Sequence, residues 1–312
     1  MSAQLPISFY ADKYKIAEGK KILLKGFVTD EKDKPITQAE AEAVLKSDIA
    51  KLSEIQEKLY ATNRYAVLIV FQALDAAGKD SVIKHVMSGL NPQGVNVVSF
   101  KTPTHQELEH DYLWRHYNAL PARGMFGIFN RSHYENVLIT RVHPEFILTE
   151  NLPGVHKLED IGESFWAVRF GQINHFEKTL SENGTVILKF FLHVSKKEQK
   201  KRFLERIDDN AKNWKFSTND IKERGLWKDY RKAYEDLLEN TSTKQAPWFV
   251  VPADDKWFTR FLIANIIVSE LSRLDLSFPT LTEQQKSELE LAKKTLTGES
   301  DTPVSDSEHG MP

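Results

Sequence analysis

Lys79 is the cation of a short stretch, "LDAAGKDS" (Leu74 to Ser81), that also carries two carboxylates, Asp75 and Asp80. A Gly-Lys pair lying between an apolar, β-branched run ("YAVLIVFQA") and an amphipathic one ("SVIKHVMSGL") has the strand–loop–helix context of a phosphate-binding loop. In such a turn the backbone N–H groups of Ala77, Gly78, Lys79, Asp80 and Ser81 converge on an anion. The helix dipole adds partial positive charge there, and Lys79 adds a full one. The match to G-x-x-x-x-G-K-[ST] is incomplete, because Ala73 replaces the first Gly and Asp80 the hydroxyl residue. Carboxylates repel phosphates unless a cation lies between them, and Mg²⁺ favours one or two carboxylates with phosphate oxygens. Asp75 is thus a candidate metal ligand, against the alternative of a turn residue capping backbone N–H groups. Asp80 is either a second acid for the cation or a favourable charge in the first helical turn.

Two further clusters could serve a polyanion. "NRSHYE" (Asn130 to Glu135) follows an apolar run, and Arg131 at the end of a strand offers a fork of donors to a phosphate. "KKEQKKRFLERIDDNAKNWK" (Lys196 to Lys215) holds eight Lys or Arg against four Asp or Glu. Arg202 and Arg206 are four apart and share a helix face. The bland alternative is a solvated face with Glu198 and Glu205 pairing locally; beside a phosphate loop, the segment instead occupies the position of a kinase lid. Lys84, and less clearly His85, extend the basic track from Lys79, with Lys215 at its far end. His133 and Trp214 are expected to pack rather than bind.

The elements that must position these groups follow from hydropathy. Five continuous apolar runs, starting at Tyr65, Val95, Gly124, Thr185 and Trp248, read as strands buried on both faces. Amphipathic stretches separate them, so the expected fold is three-layer α/β/α with a mostly parallel sheet and a helical lid. Three regions are expected: an N-terminal extension and helix (1–60), a core (61–278) that includes the lid region 195–245, and a C-terminal helix and tail (279–312). From about Thr297 the tail is rich in Ser, Thr, Asp and Pro and is expected to be disordered. The 312 residues carry a net charge of -2, which supplies no global field for nucleic acid or an anionic membrane. The absence of Cys, of a signal-peptide core and of a long apolar run leads to the expectation of a soluble, cytoplasmic protein.

The chain resembles the family-2 polyphosphate kinases. The resemblance runs from roughly Glu40 to Phe278 and is carried by "LDAAGKDSVIKHVMSGLNPQG", "FKTPT", "LWRHYNALPARG", "GIFNRSHYENVLITRVHPE", "KKRFLERIDDNAKNWKFS" and "WFVVPADDKWFTR". It implies a P-loop kinase core that moves phosphoryl groups between inorganic polyphosphate and AMP, ADP or ATP with Mg²⁺, or Mn²⁺ in its place. It also implies that Asp75 helps hold the metal, that Lys79 and Arg131 bind phosphate, and that Arg202 and Arg206 close from the lid. Asn130 stands where many members have Asp and retains one carbonyl oxygen for the metal. The "NRSHYE" form resembles the subclass accepting both AMP and ADP. The acceptor is expected beside Phe100, Lys101, Pro103, Asn130, Arg131 and Glu135, with loose base discrimination that could admit guanine nucleotides. A homodimer or homotetramer is implied as well. The alternatives are an ATP-dependent nucleoside monophosphate kinase and a non-catalytic nucleotide or polyphosphate sensor.

Overall fold

The computed structural model describes residues 7–298. Five strands, β1 (Ala66–Ala73), β2 (Val95–Ser99), β3 (Phe126–Asn130), β4 (Thr185–His193) and β5 (Trp248–Pro252), form one sheet in the order β2-β3-β1-β4-β5. All four pairings are parallel. Every residue of central β1 is buried. Its Val67, Ile69 and Phe71 join one core cluster and its Leu68 and Val70 the other, the period-two alternation of a strand covered on both faces. Strand β2 departs from the expectation of double burial. It lies at the sheet edge, where Asn96, Val97 and Ser99 are exposed.

Helix α1 (Gln38–Thr62) begins at a capping box: the Thr37 hydroxyl accepts from the Glu40 amide, and the Glu40 carboxylate accepts in return from the Thr37 amide. It packs on one side of the sheet with α2 (Lys79–Val86) and the almost wholly buried α7 (Lys256–Leu271). Between α1 and α7, buried Asp48 accepts from Asn265 Nδ2 at 3.1 Å, and burial raises its carboxyl pKa. The other side carries α3 (Glu163–Glu182) and α6 (Trp227–Thr241). Beneath it, Lys189 of β4 donates to Glu177 at 2.6 Å, Tyr134 at 2.8 Å and the Thr241 carbonyl at 2.7 Å. His133 donates to the same carboxylate, so it packs as expected. Burial alone would raise the Glu177 carboxyl, but Lys189 and His133 hold it below its ordinary value.

Two short helices, α4 (Lys196–Asp208) and α5 (Thr218–Gly225), lie between β4 and α6. A first compact unit ends at Ser277 and a second begins at Phe278. The second contains α8 (Glu283–Gly298), which takes in Thr297, so the helix reaches further than expected. The rest of the tail lies outside the described residues.

Candidate active site

Parallel register places the chemistry. Phe71 of β1 lies opposite Asn130 of β3, and Ala73 opposite Leu192 of β4, so the strand ends bring the loop, the "NRSHYE" turn and the start of α4 to one edge. The loop after β1 passes through Ala76 (φ 60°) and Gly78 (φ 107°), both left-handed. Gly78 adopts this conformation without a Cβ penalty, whereas Ala76 is strained by about 1–2 kcal/mol. Lys79 is buried, and its ammonium donates to the Ala73 carbonyl at 3.0 Å. Burial, with Arg131 nearby, lowers its pKa to about 8 despite Asp75, Glu135 and Asp80.

Arg131 also has positive φ (64°), and its amide donates to the Phe71 carbonyl at 3.1 Å, which ties the turn to β1. Its Nη2 meets Asp75 Oδ1 at 2.9 Å and its Nη1 meets Glu135 Oε2 at 3.5 Å. Glu135, then Asp75, hold the guanidinium above its ordinary pKa. Asp75 and Arg131 are both half-exposed at the mouth of the loop. Asn130 Nδ2 donates to Asp80 Oδ1 at 2.8 Å, so these two residues pair across the loop. On α5, burial with Asp75 nearby raises the Asp220 carboxyl pKa.

Several expectations need correction. Arg202 does not close over the loop; it holds the loop from behind. Its Nη1 donates to the Ala76 and Ala77 carbonyls (3.1 and 2.7 Å), its Nη2 to those of Ala253 and Asp254 (2.7 and 3.0 Å), and its Nε to Glu198 (2.9 Å). All five N–H groups are engaged and none is left for a phosphate. Phe100 is buried against His116 and Phe129, so its ring is not open to a base, although Lys101 and Pro103 beside it are exposed. His85 Nδ1 bonds the Ser81 carbonyl at 2.7 Å within its own helix, while Lys84 is exposed. The Ser81 hydroxyl accepts from Arg260 of α7 at 2.7 Å. Arg206 lies between α4 and α5, 3.7 Å from Asp220. Trp214 is 73% exposed rather than packed, with the Lys215 ammonium 5.1 Å from its ring.

Gln199, Arg224 and Arg260 were not singled out from the sequence, yet all three bind in or next to the loop's support. Gln199 is one turn before Arg202 on the same face of a basic helix, and Arg260 ends "WFTR". Neither pattern has a signature of its own.

Residues 35–278 match the family described as Polyphosphate kinase 2 (PPK2). An ADP-polyphosphate phosphotransferase of Rhodopseudomonas palustris is 47% identical over 277 residues, covering 89% of this chain and 95% of that protein. An AMP/ADP-polyphosphate phosphotransferase of Meiothermus ruber is 45% identical over 229 residues, 73% of this chain and 80% of its own length. The crystal structure of Polyphosphate Kinase 2 from Arthrobacter aurescens TC1 superimposes with a TM-score of 0.82 at 37% identity, covering 91% of this chain and 96% of that one. With its loop, its Arg131 turn and this likeness along nearly its full length, the chain belongs to the polyphosphate kinase 2 family.

Proposed function

We propose that this protein is a polyphosphate-dependent nucleotide kinase that transfers the terminal phosphoryl group of inorganic polyphosphate to ADP and AMP, reversibly. One observation carries the reading: the Arg131–Asp75 pair sits beside a loop that passes through left-handed Ala76 and Gly78 and leads into Lys79, whose ammonium donates to the Ala73 carbonyl and would be the loop's cation for a phosphate. The acceptor oxygen belongs to a phosphate whose second pKa is about 6, so it is ionised at neutral pH and needs no general base. The work left to the protein is alignment and charge neutralisation. Lys79, Arg131 and the loop amides supply the positive charge, and the exposed Lys84 guides the chain outward. The "NRSHYE" turn, with Asn130 uncharged, supports acceptance of both AMP and ADP. Lys101 and Pro103 are the exposed candidates for the acceptor side.

The residues fit Mg²⁺. Among the described residues no three His, Asp or Glu side chains gather as a complete metal site. Asp75 and Asp80 each accept from a neighbour through one carboxylate oxygen, Asp75 from Arg131 and Asp80 from Asn130, and each carries a second hard oxygen for a cation that would take its remaining ligands from phosphate. When bound, the cation would screen donor from acceptor. Incubating the protein and Mg²⁺ with AMP or ADP, and with either polyphosphate or ATP as donor, tests the assignment. Product from polyphosphate supports it, and product from ATP alone rejects it.

A further inference from the structure

A loop that turns its amides inward must turn its carbonyls outward, where they need donors. Here the donors come from α4. Gln199 Nε2 donates to the Asp75 carbonyl at 2.9 Å, and Arg202 takes the next two carbonyls. Gln199 is 3% exposed, and its other end is also held: Oε1 accepts from Arg224 Nη1 of α5 at 2.7 Å. The same Nη1 donates to the Lys196 carbonyl at 2.9 Å. A carbonyl only accepts and a guanidinium only donates, so the two partners fix the orientation of the Gln199 amide. One side chain thus joins α5 to the backbone of the residue that bears the candidate metal ligand. Helix α5 also holds Asp220, facing Arg206, and Glu223, paired with His143 at 3.0 Å.

We propose that Gln199 is a positioning residue: it transmits the placement of α5 to the Asp75–Gly78 turn, so that the loop is held in its anion-binding shape only while Arg224 is docked. The strained Ala76 conformation gives the turn a reason to relax when this restraint goes. The inference rests on the kinase reading for its effect on turnover, but not for its effect on the loop.

The test uses the full chain with Gln199→Met, Gln199→Glu, Arg224→Met and the double variant Gln199→Met/Arg224→Met. Gln199→Glu keeps an acceptor for Arg224 and removes the donor to Asp75. Steady-state rates with polyphosphate, thermal melting and amide hydrogen exchange of 75–80 without substrate are measured. All four variants are expected to lose about tenfold in kcat, with KM for the nucleotide within about twofold. The double variant should be no worse than the single ones, as for residues acting as one unit. Loop exchange should accelerate even in Arg224→Met, whose change is one residue removed from the loop. Unchanged loop exchange in Arg224→Met, additive losses, or lower melting temperatures with normal kcat would each overturn the proposal. A wild type inactive on polyphosphate would sink the kinase reading while leaving the exchange result to decide the relay.

Discussion

Replacing Arg202 by Leu separates a brace from a phosphate clamp. The wild-type guanidinium is 6% exposed and serves four backbone carbonyls and one carboxylate. Leu fills some of the volume but strands those acceptors and leaves Glu198 without its closest cation. Removing one partner of a buried charge network costs about 3–5 kcal/mol. That is a large share of a typical total of about 5–15 kcal/mol. At about 2–4 °C per kcal/mol, melting should fall by roughly 6–20 °C. Arg202→Lys should lie between, because an ammonium has three donors for five acceptors. The assay is ligand-free thermal unfolding followed by circular dichroism, with wild type and both variants in one buffer. A phosphate clamp would behave oppositely: ligand-free melting stays put while kcat falls by about 10²–10³. If ligand-free Arg202→Leu melts within about 2 °C of wild type, the bracing role is wrong.

Lys79→Ala and Asp75→Ala should each lower kcat at least about 100-fold with melting little changed; near-normal turnover in either would remove the assigned role. Because burial depresses Lys79 to about 8, the free enzyme loses its loop cation as pH rises through that value. In the unfolded chain the lysine keeps its proton to higher pH, so this group's contribution to stability rises from about pH 8 upward. A plot of kcat/KM for polyphosphate should therefore turn down near pH 8, and Lys79→Arg should remove that limb. Gly78→Ala finds space, since the added Cβ would lie 3.7 Å from Arg202 Nη1, but φ of 107° forbids it an easy backbone. Its loss of about 1–3 kcal/mol should appear in urea titrations together with weakened polyphosphate binding. His143 is raised, because Glu223 and Glu145 outweigh burial. Its contribution is present below the unfolded pKa and lost as pH rises through the higher folded one, so His143→Gln should lower the melting temperature at pH 6 and not at pH 9.

Much of the fold could be read directly. The five apolar runs, each bounded by amphipathic stretches, correspond to the five strands because double burial leaves a continuous signal. Only β2 misled: it lies at an edge with Asn96, Val97 and Ser99 exposed, whereas β5 at the opposite edge is buried at every residue. The loop was legible through Gly78, whose φ of 107° favours glycine, and through the charge of Lys79 that follows it. Phe100 and Arg202 were misjudged for a common reason. Residue type tells what a side chain is able to bind, but not which way it faces.

By itself the amino-acid order determined the Gly-Lys loop after the first strand, the strands around it and the acids beside it, because these depend on short-range propensity, hydrophobic period and charge. Tertiary structure alone decided that Arg202 and Gln199 turn to loop carbonyls more than 120 residues away in sequence, that Asn130 pairs with Asp80, and that Arg131 reaches Asp75. Those partners are chosen by strand register and by the need of buried polar groups for hydrogen bonds. No local pattern along the chain encodes either.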